Sequence, residues 1–422
     1  MRRHGVAAVV AVLAATVLQT TAYAAPPPGA CRNSDQGGFP VRELPWAQRL
    51  LDPRLVWPYS KGAGVLVAVV DSGVDVDHPQ LRRPGKVAGG RDFVLPGAGP
   101  GAFDCVSHGT GVAGIIAADP TPGIGFHGVA PDSTILPVRI SDRDVNDRGE
   151  TLRIDPQVLA NGIRYASDAG AKVINLSLAG YDDYAVVREA VAYAVSRDAL
   201  VVAAAGNGQG QRSESVELPS YPAAYDGVLG VGAIDINGAR MTGSQVGRYV
   251  DITAPGAQVL TPTRVEGHAY VDGTSFAAPF VSGTAALVRA AWPKLSAAEV
   301  AQRLIATASP ARGGINSPAY GAGIVNPYRA VTDGLDLAKP AALPAYVPAA
   351  PDQARIDRVA WEGHVGGVAK WMALAVLGAV VLVVLVAVLR PRGRRRRWRL
   401  GWAATLPTEP VVAEPPEETF LV

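Results

Sequence analysis

Several things that would settle the class of this chain by composition are missing. The formal net charge is only +2 over 422 residues, so the long-range field that draws nucleic acid is absent. There are two cysteines, Cys31 and Cys105. Two sulfurs without further ligands do not make a tetrahedral metal site, and no metal is expected. No segment repeats at a fixed period, which excludes a solenoid. What remains is a chain long enough for one large domain or two ordinary ones, with ample volume for a core.

Charge is absent from two long stretches. The first follows Arg2, Arg3 and His4. It runs from Val6 to Leu18 and ends in Ala22-Tyr23-Ala24, the pattern of a signal peptide cut after Ala24. Its apolar middle is short for a bilayer, and the arginine pair alone gives little support to twin-arginine export. The second stretch, Trp371 to Leu389, has no charge. At ~1.5 Å per residue it spans roughly 28 Å, close to the hydrocarbon thickness of a membrane. Arg390, Arg392, Arg394, Arg395, Arg396, Arg397 and Arg399 follow directly. By the positive-inside rule, residues 390–422 lie in the cytoplasm and the bulk of the protein outside it. Trp371 and Trp398 suit the two interfaces, and Glu409, Glu414, Glu417 and Glu418 make the tail acidic. A cell-wall sorting motif would precede the run. None does, since Leu406-Pro407-Thr408 comes after it, so the anchor is expected to stay. Lys339 to Pro351 is rich in Ala and Pro, and residues 336–370 read as an extended linker. Both cysteines fall in the exported part, where a disulfide is the default and two free buried thiols the alternative. Closing a loop of that length stabilises by roughly 4 kcal/mol on chain-entropy grounds.

Residues 25–60 open with Ala25-Pro26-Pro27-Pro28-Gly29 and include one short helical segment, Pro45 to Leu51. Such an extension cannot build a core of its own and must lie on the domain that follows, residues 61–335. There, Val65 to Val70 is an unbroken apolar run ending in Asp71-Ser72-Gly73. Runs of this kind read as strands buried on both faces, as in a parallel sheet. Three more follow, at Thr134–Val138, Lys172–Leu176 and Ala199–Ala205. Helical segments are predicted over Gly111–Ala117, Pro156–Ala169, Ala185–Asp198 and Leu295–Ala308. This alternation gives an α/β fold, a doubly wound, mostly parallel sheet flanked by helices, with one C-terminal transmembrane helix. Polar surface loops are expected at Ser141–Asp155 and Gly208–Ser220.

Ligands in such sheets sit at the carboxyl ends of the strands, and Asp71 stands at one. His108 opens His108-Gly109-Thr110-Gly111-Val112-Ala113-Gly114. Ser275 lies in Gly273-Thr274-Ser275-Phe276-Ala277-Ala278-Pro279, at the start of an apolar helical segment whose first turn would accommodate Pro279. Alone, Ser275 reads as a helix cap. With a histidine to take its proton and a carboxylate to orient the histidine, it becomes a nucleophile. Asn207, in Ala204-Ala205-Gly206-Asn207-Gly208, sits just past a strand end. It could donate its side-chain N–H to the oxyanion beside the Ser275 backbone N–H, although alone it reads as a turn residue.

These segments resemble the subtilisin-like serine proteases, in which aspartate, histidine and serine follow in that chain order. The likeness spans about residues 61–335. It implies that Ser177, Leu178, Ala179 and Gly180 form an edge on which substrate lies as an added strand, and that Ala205 and Gly206 line the pocket for the side chain before the cut. Many members have a long folding prodomain; the 25–60 segment is too short for one. Some bind calcium. Asp75 and Asp77 do not by spacing make a calcium loop and read as a solvated turn; the sequence supports no cofactor, and calcium stays open on the resemblance alone. The order of signal peptide, cysteine-linked extension, protease, proline-rich linker, single membrane helix and basic start of the tail resembles the mycosins, membrane-anchored subtilases of type VII secretion systems. That likeness implies exported protein substrates and the secretion membrane complex as partner. A structural subunit of that complex is the second reading. His78, His127 and His268 receive no role.

Overall fold

A computed structural model describes residues 26–335, apart from 28–29, 32–33, 96, 98, 143–152, 211, 213–215 and 315, together with residues 353–395. The signal peptide, residues 336–352 of the predicted linker, residues 143–152 of the Ser141–Asp155 loop and the acidic tail lie outside the described residues. Residues up to 346 and from 347 onward are two separate units.

The first unit is built on seven parallel strands. They are β1 (Leu66–Asp71), β2 (Arg91–Asp92), β3 (Thr134–Arg139), β4 (Val173–Leu176), β5 (Leu200–Ala204), β6 (Val228–Ile234) and β7 (Ile252–Pro255), in the order β2-β3-β1-β4-β5-β6-β7. The helices are α1 (Trp46–Leu51), α2 (His108–Ala117), α3 (Pro156–Asp168), α4 (Ala185–Ser196), α5 (Thr274–Ala291), α6 (Ala297–Ala306) and α7 (Pro327–Thr332). The unbroken apolar runs work as anticipated. Val67 and Val69 belong to the core shared with α2 and α5, while Ala68 and Val70 face the core with α3 and α4. Strand order reverses between β1 and β4, where a crevice opens at the carboxyl ends. An antiparallel pair, β8 (Val259–Pro262) with β9 (His268–Val271), lies apart from the sheet.

The N-terminal extension lies on this unit, as its lack of a core requires. A Cys31–Cys105 disulfide ties it down. Asp35 donates its N–H to Cys105 at 3.0 Å, and Phe39 pairs antiparallel with His268. Behind that pairing lie two buried histidines. His268 Nε2 contacts Gln80 Oε1 at 2.8 Å, and His78 accepts the Gln80 N–H at Nδ1. Their rings meet edge to face at 5.9 Å. Burial lowers both pKa values, that of His268 to about 4. The folded state therefore keeps them neutral while an unfolded chain takes up protons below pH ~6.5. Their contribution to stability should be lost as pH falls from about 6.5 toward 4, while buried Asp251, its pKa pushed up to about 6, works in the opposite direction. Between pH 7 and pH 5 the melting temperature of the wild type should therefore fall by several degrees relative to that of His268→Gln; an unchanged difference between the two would contradict this origin.

The second unit is one helix, α8 (Gln353–Arg395). It contains the apolar run 371–389, fits a membrane anchor in length and composition, and exposes its apolar side chains. It also corrects the reading of 336–370 as extended throughout, because residues 353–370 are helical. The Ala/Pro composition that suggested a linker stops at Pro351. No proline follows until Pro391, which lies within the last turns of α8. At ~1.5 Å per residue α8 is about 65 Å long, twice a hydrocarbon core of ~30 Å.

Candidate active site

Three elements converge at the crevice. Strand β1 delivers Asp71 at its last position, buried. His108 is the first residue of α2, and its Nδ1 lies 2.7 Å from Asp71 Oδ1. That approach depends on Gly109, where a Cβ would fall 2.1 Å from the Gly73 carbonyl oxygen, so only glycine lets the helix start this close. Asp71 Oδ1 also accepts the Ser72 N–H at 2.7 Å. The oxygen is therefore held toward the imidazole. Ser275 stands second in α5, partly exposed, and the ring of its neighbour Phe276 packs on His108 at 5.0 Å.

Around this group the structure adds residues that the sequence did not single out. Asp104 is buried; burial raises its pKa against the hydrogen bonds that hold it charged. Its Oδ2 accepts from the N–H and hydroxyl of Thr110 at 2.9 and 2.7 Å, and its Oδ1 accepts from the Ser72 hydroxyl at 3.0 Å. Ser72 Oγ in turn accepts the Gly109 N–H at 2.9 Å. Asp104 and Ser72 thus lock the start of α2 to the end of β1, one residue from the Cys31–Cys105 bridge. Aspartate in a first-turn acceptor role is the only sequence signal that could have found it.

Asn207 is exposed just beyond β5. Its Oδ1 accepts from both the N–H and the hydroxyl of Thr274, at 2.9 and 3.1 Å. With Oδ1 so engaged, Nδ2 has to face the other way. Gly273, at φ +152°, marks where it faces. A Cβ there would lie 3.4 Å from Asn207 Nδ2 and 3.7 Å from the Ser275 nitrogen. Two N–H donors flank one small space at the positive end of α5.

The remaining predicted residues are placed as follows. Ser177 leaves β4 beside α5, with Leu178 half-buried and Ala179 exposed. Gly180 departs from expectation: its N–H and C=O are both bonded to Tyr221, at 2.8 and 2.9 Å, so the edge open to an added strand ends at Ala179. Ala205 and Gly206 are buried. The Ala205 carbonyl accepts from Ser220 Oγ, and the Gly206 N–H reaches Thr274 Oγ1 at 3.0 Å. They can form a wall but offer no free hydrogen bond there. Pro279 is the sixth residue of α5 rather than a first-turn residue. Asp75 uses its carboxylate on the Asp77 and Val265 N–H groups, consistent with a turn.

This fold and site define a class. The chain belongs to the subtilase family (peptidase S8), whose profile matches residues 62–323, and is thereby a serine-type endopeptidase. It is 36% identical over 388 residues to Mycosin-4 of Mycobacterium tuberculosis, covering 83% of this chain and 82% of the relative. Thermitase of Thermoactinomyces vulgaris is 36% identical over 284 residues, covering 67% and 94%. Among solved structures, MycP1 from Mycobacterium smegmatis matches with a TM-score of 0.61 at 32% identity, covering 76% of this chain and 94% of that one. The MycP3 protease from the type VII (ESX-3) secretion system matches with the same TM-score and identity, covering 72% and 94%.

Proposed function

We propose that Asp71, His108 and Ser275 hydrolyse peptide bonds as a triad. The 2.7 Å contact between His108 Nδ1 and Asp71 carries this reading. It leaves the imidazole Nε2 side for the serine, and the partly exposed Ser275 lies next to the phenyl ring that packs on that imidazole. Ser275 Oγ attacks the carbonyl carbon as His108 takes its proton, and His108 then gives the proton to the leaving amine. Asp71 orients the imidazole and stabilises its cation. The oxyanion forms in the space beside Gly273, between Asn207 Nδ2 and the Ser275 N–H. Substrate lies along Ser177 to Ala179 as an added strand.

Asn207→Ala should lower kcat about 100- to 1000-fold with little change in KM. An unaltered kcat would remove Asn207 from the oxyanion site.

The anchor runs through residues 371–389, with the catalytic unit outside the cytoplasm and the arginine-rich end inside. Similarity to mycosins and to structures described as type VII secretion proteases supports exported proteins as substrates and the secretion membrane complex as partner. In intact cells a membrane-impermeant fluorophosphonate should label the protein. Labelling only after the cells are permeabilised would overturn this orientation.

A further inference from the structure

The carbonyl of Ser275 has lost its helical partner. In an α-helix it would accept the N–H of the residue four positions on, but that residue is Pro279, which has none and whose ring crowds the same carbonyl. Left alone, a carbonyl at this buried helix start would be unsatisfied. Instead the Ser177 hydroxyl donates to it at 2.6 Å.

Ser177 is itself held. Its Oγ accepts from Asn175 Nδ2 at 2.8 Å, and Asn175 Oδ1 accepts from the Ser282 hydroxyl at 2.8 Å. Asn175 and Ser282 are both 0% exposed. An asparagine in the middle of a parallel strand and a serine inside an apolar helix are costly choices unless fully paired. Here they pair with each other and with Ser177. The chain of three bonds begins and ends on α5, at residues 282 and 275, and passes through β4. The direction follows from the Ser275 carbonyl, which can only accept: Ser177 spends its one O–H there, so it accepts from Asn175 Nδ2, and Asn175 Oδ1 accepts from Ser282.

We propose that Asn175 and Ser282 are positioning residues that act through Ser177. They hold the nucleophile's backbone in place of the helical hydrogen bond that Pro279 cannot make. The Ser177 side chain is therefore committed to Ser275, and only its backbone is left for substrate. Fixing the carbonyl of residue 275 fixes the peptide plane and side-chain origin of the nucleophile, so the gain appears in the chemical step and not in substrate affinity. This inference rests on the catalytic role of Ser275.

The test uses the full-length protein in detergent, with peptide hydrolysis and the rate of fluorophosphonate labelling as readouts. Ser177→Ala should lower kcat and the labelling rate about tenfold with KM within twofold. Pro279→Ala restores an N–H four residues after Ser275. The double variant Ser177→Ala/Pro279→Ala should therefore recover to within about threefold of Pro279→Ala alone. A merely structural Ser177 would lower the melting temperature without this rescue, and that result overturns the proposal. Should Ser177→Ala not fold, Ser282→Ala removes only the far end of the chain and should lower kcat about threefold; an unchanged kcat there overturns the proposal equally. An active, labelled wild type with Ser177→Ala at full kcat removes this inference alone. A wild type that neither cleaves nor labels removes the catalytic reading, and this inference with it.

Discussion

Ser275→Ala should abolish peptide hydrolysis, with a loss on the order of a millionfold in kcat, as removal of the serine costs in subtilisin of the same family. The size of the effect follows from the division of labour. Without Oγ there is no covalent intermediate, and neither the His108–Asp71 contact nor the Asn207 donor can supply a nucleophile. What survives is binding and the oxyanion space, which together hold a small residue of rate over water. Ser275 is partly exposed, and the change leaves in place the backbone carbonyl that Ser177 holds. The melting temperature should therefore stay within about a degree of wild type. Hydrolysis within a hundredfold of wild type, inhibited by the same reagents, would mean that another residue attacks.

Asp71→Asn comes next, at about 10,000-fold in kcat. Asp71 Oδ1 accepts hydrogen bonds from the His108 Nδ1–H and the Ser72 N–H, each at 2.7 Å. An asparagine keeps the shape but not the charge that stabilises the imidazolium. Because both bonds fall on one oxygen, an NH2 group placed there favours the tautomer with the proton on Nε2, the nitrogen that must accept from Ser275, and gives up the Ser72 bond. The expected signature is a collapse of kcat with KM nearly unchanged. Activity within tenfold of wild type would show that the aspartate only caps the strand end.

The difference between what could be read in advance and what could not follows from sequence distance. Asp71 was legible because a continuous apolar run ends on it. His108 was legible through the glycines that follow, and Ser275 through the apolar helix it opens. Each is a local pattern. Thr274, Asn175 and Ser282 were not legible, since each acts on a partner far along the chain; the Ser282–Asn175 pair is 107 residues apart. The same limit hid Gly180, whose backbone is taken by Tyr221 from another loop. Strand β6 escaped because Gly230 and Gly232 interrupt its apolar run, and β7, β8 and β9 are only four residues each. Helix α8 was recognised only over its apolar part, because residues 353–370 are polar enough to resemble the linker before them.

The central claim is that one hydroxyl, that of Ser275, forms the covalent bond to substrate. Treating the full-length protein with a fluorophosphonate, digesting it and locating the adduct by mass spectrometry tests this directly. A single adduct on the peptide carrying Gly273-Thr274-Ser275, absent from both Ser275→Ala and heat-denatured protein, is the expected result. An adduct on another residue, or hydrolytic activity with no adduct, would contradict it.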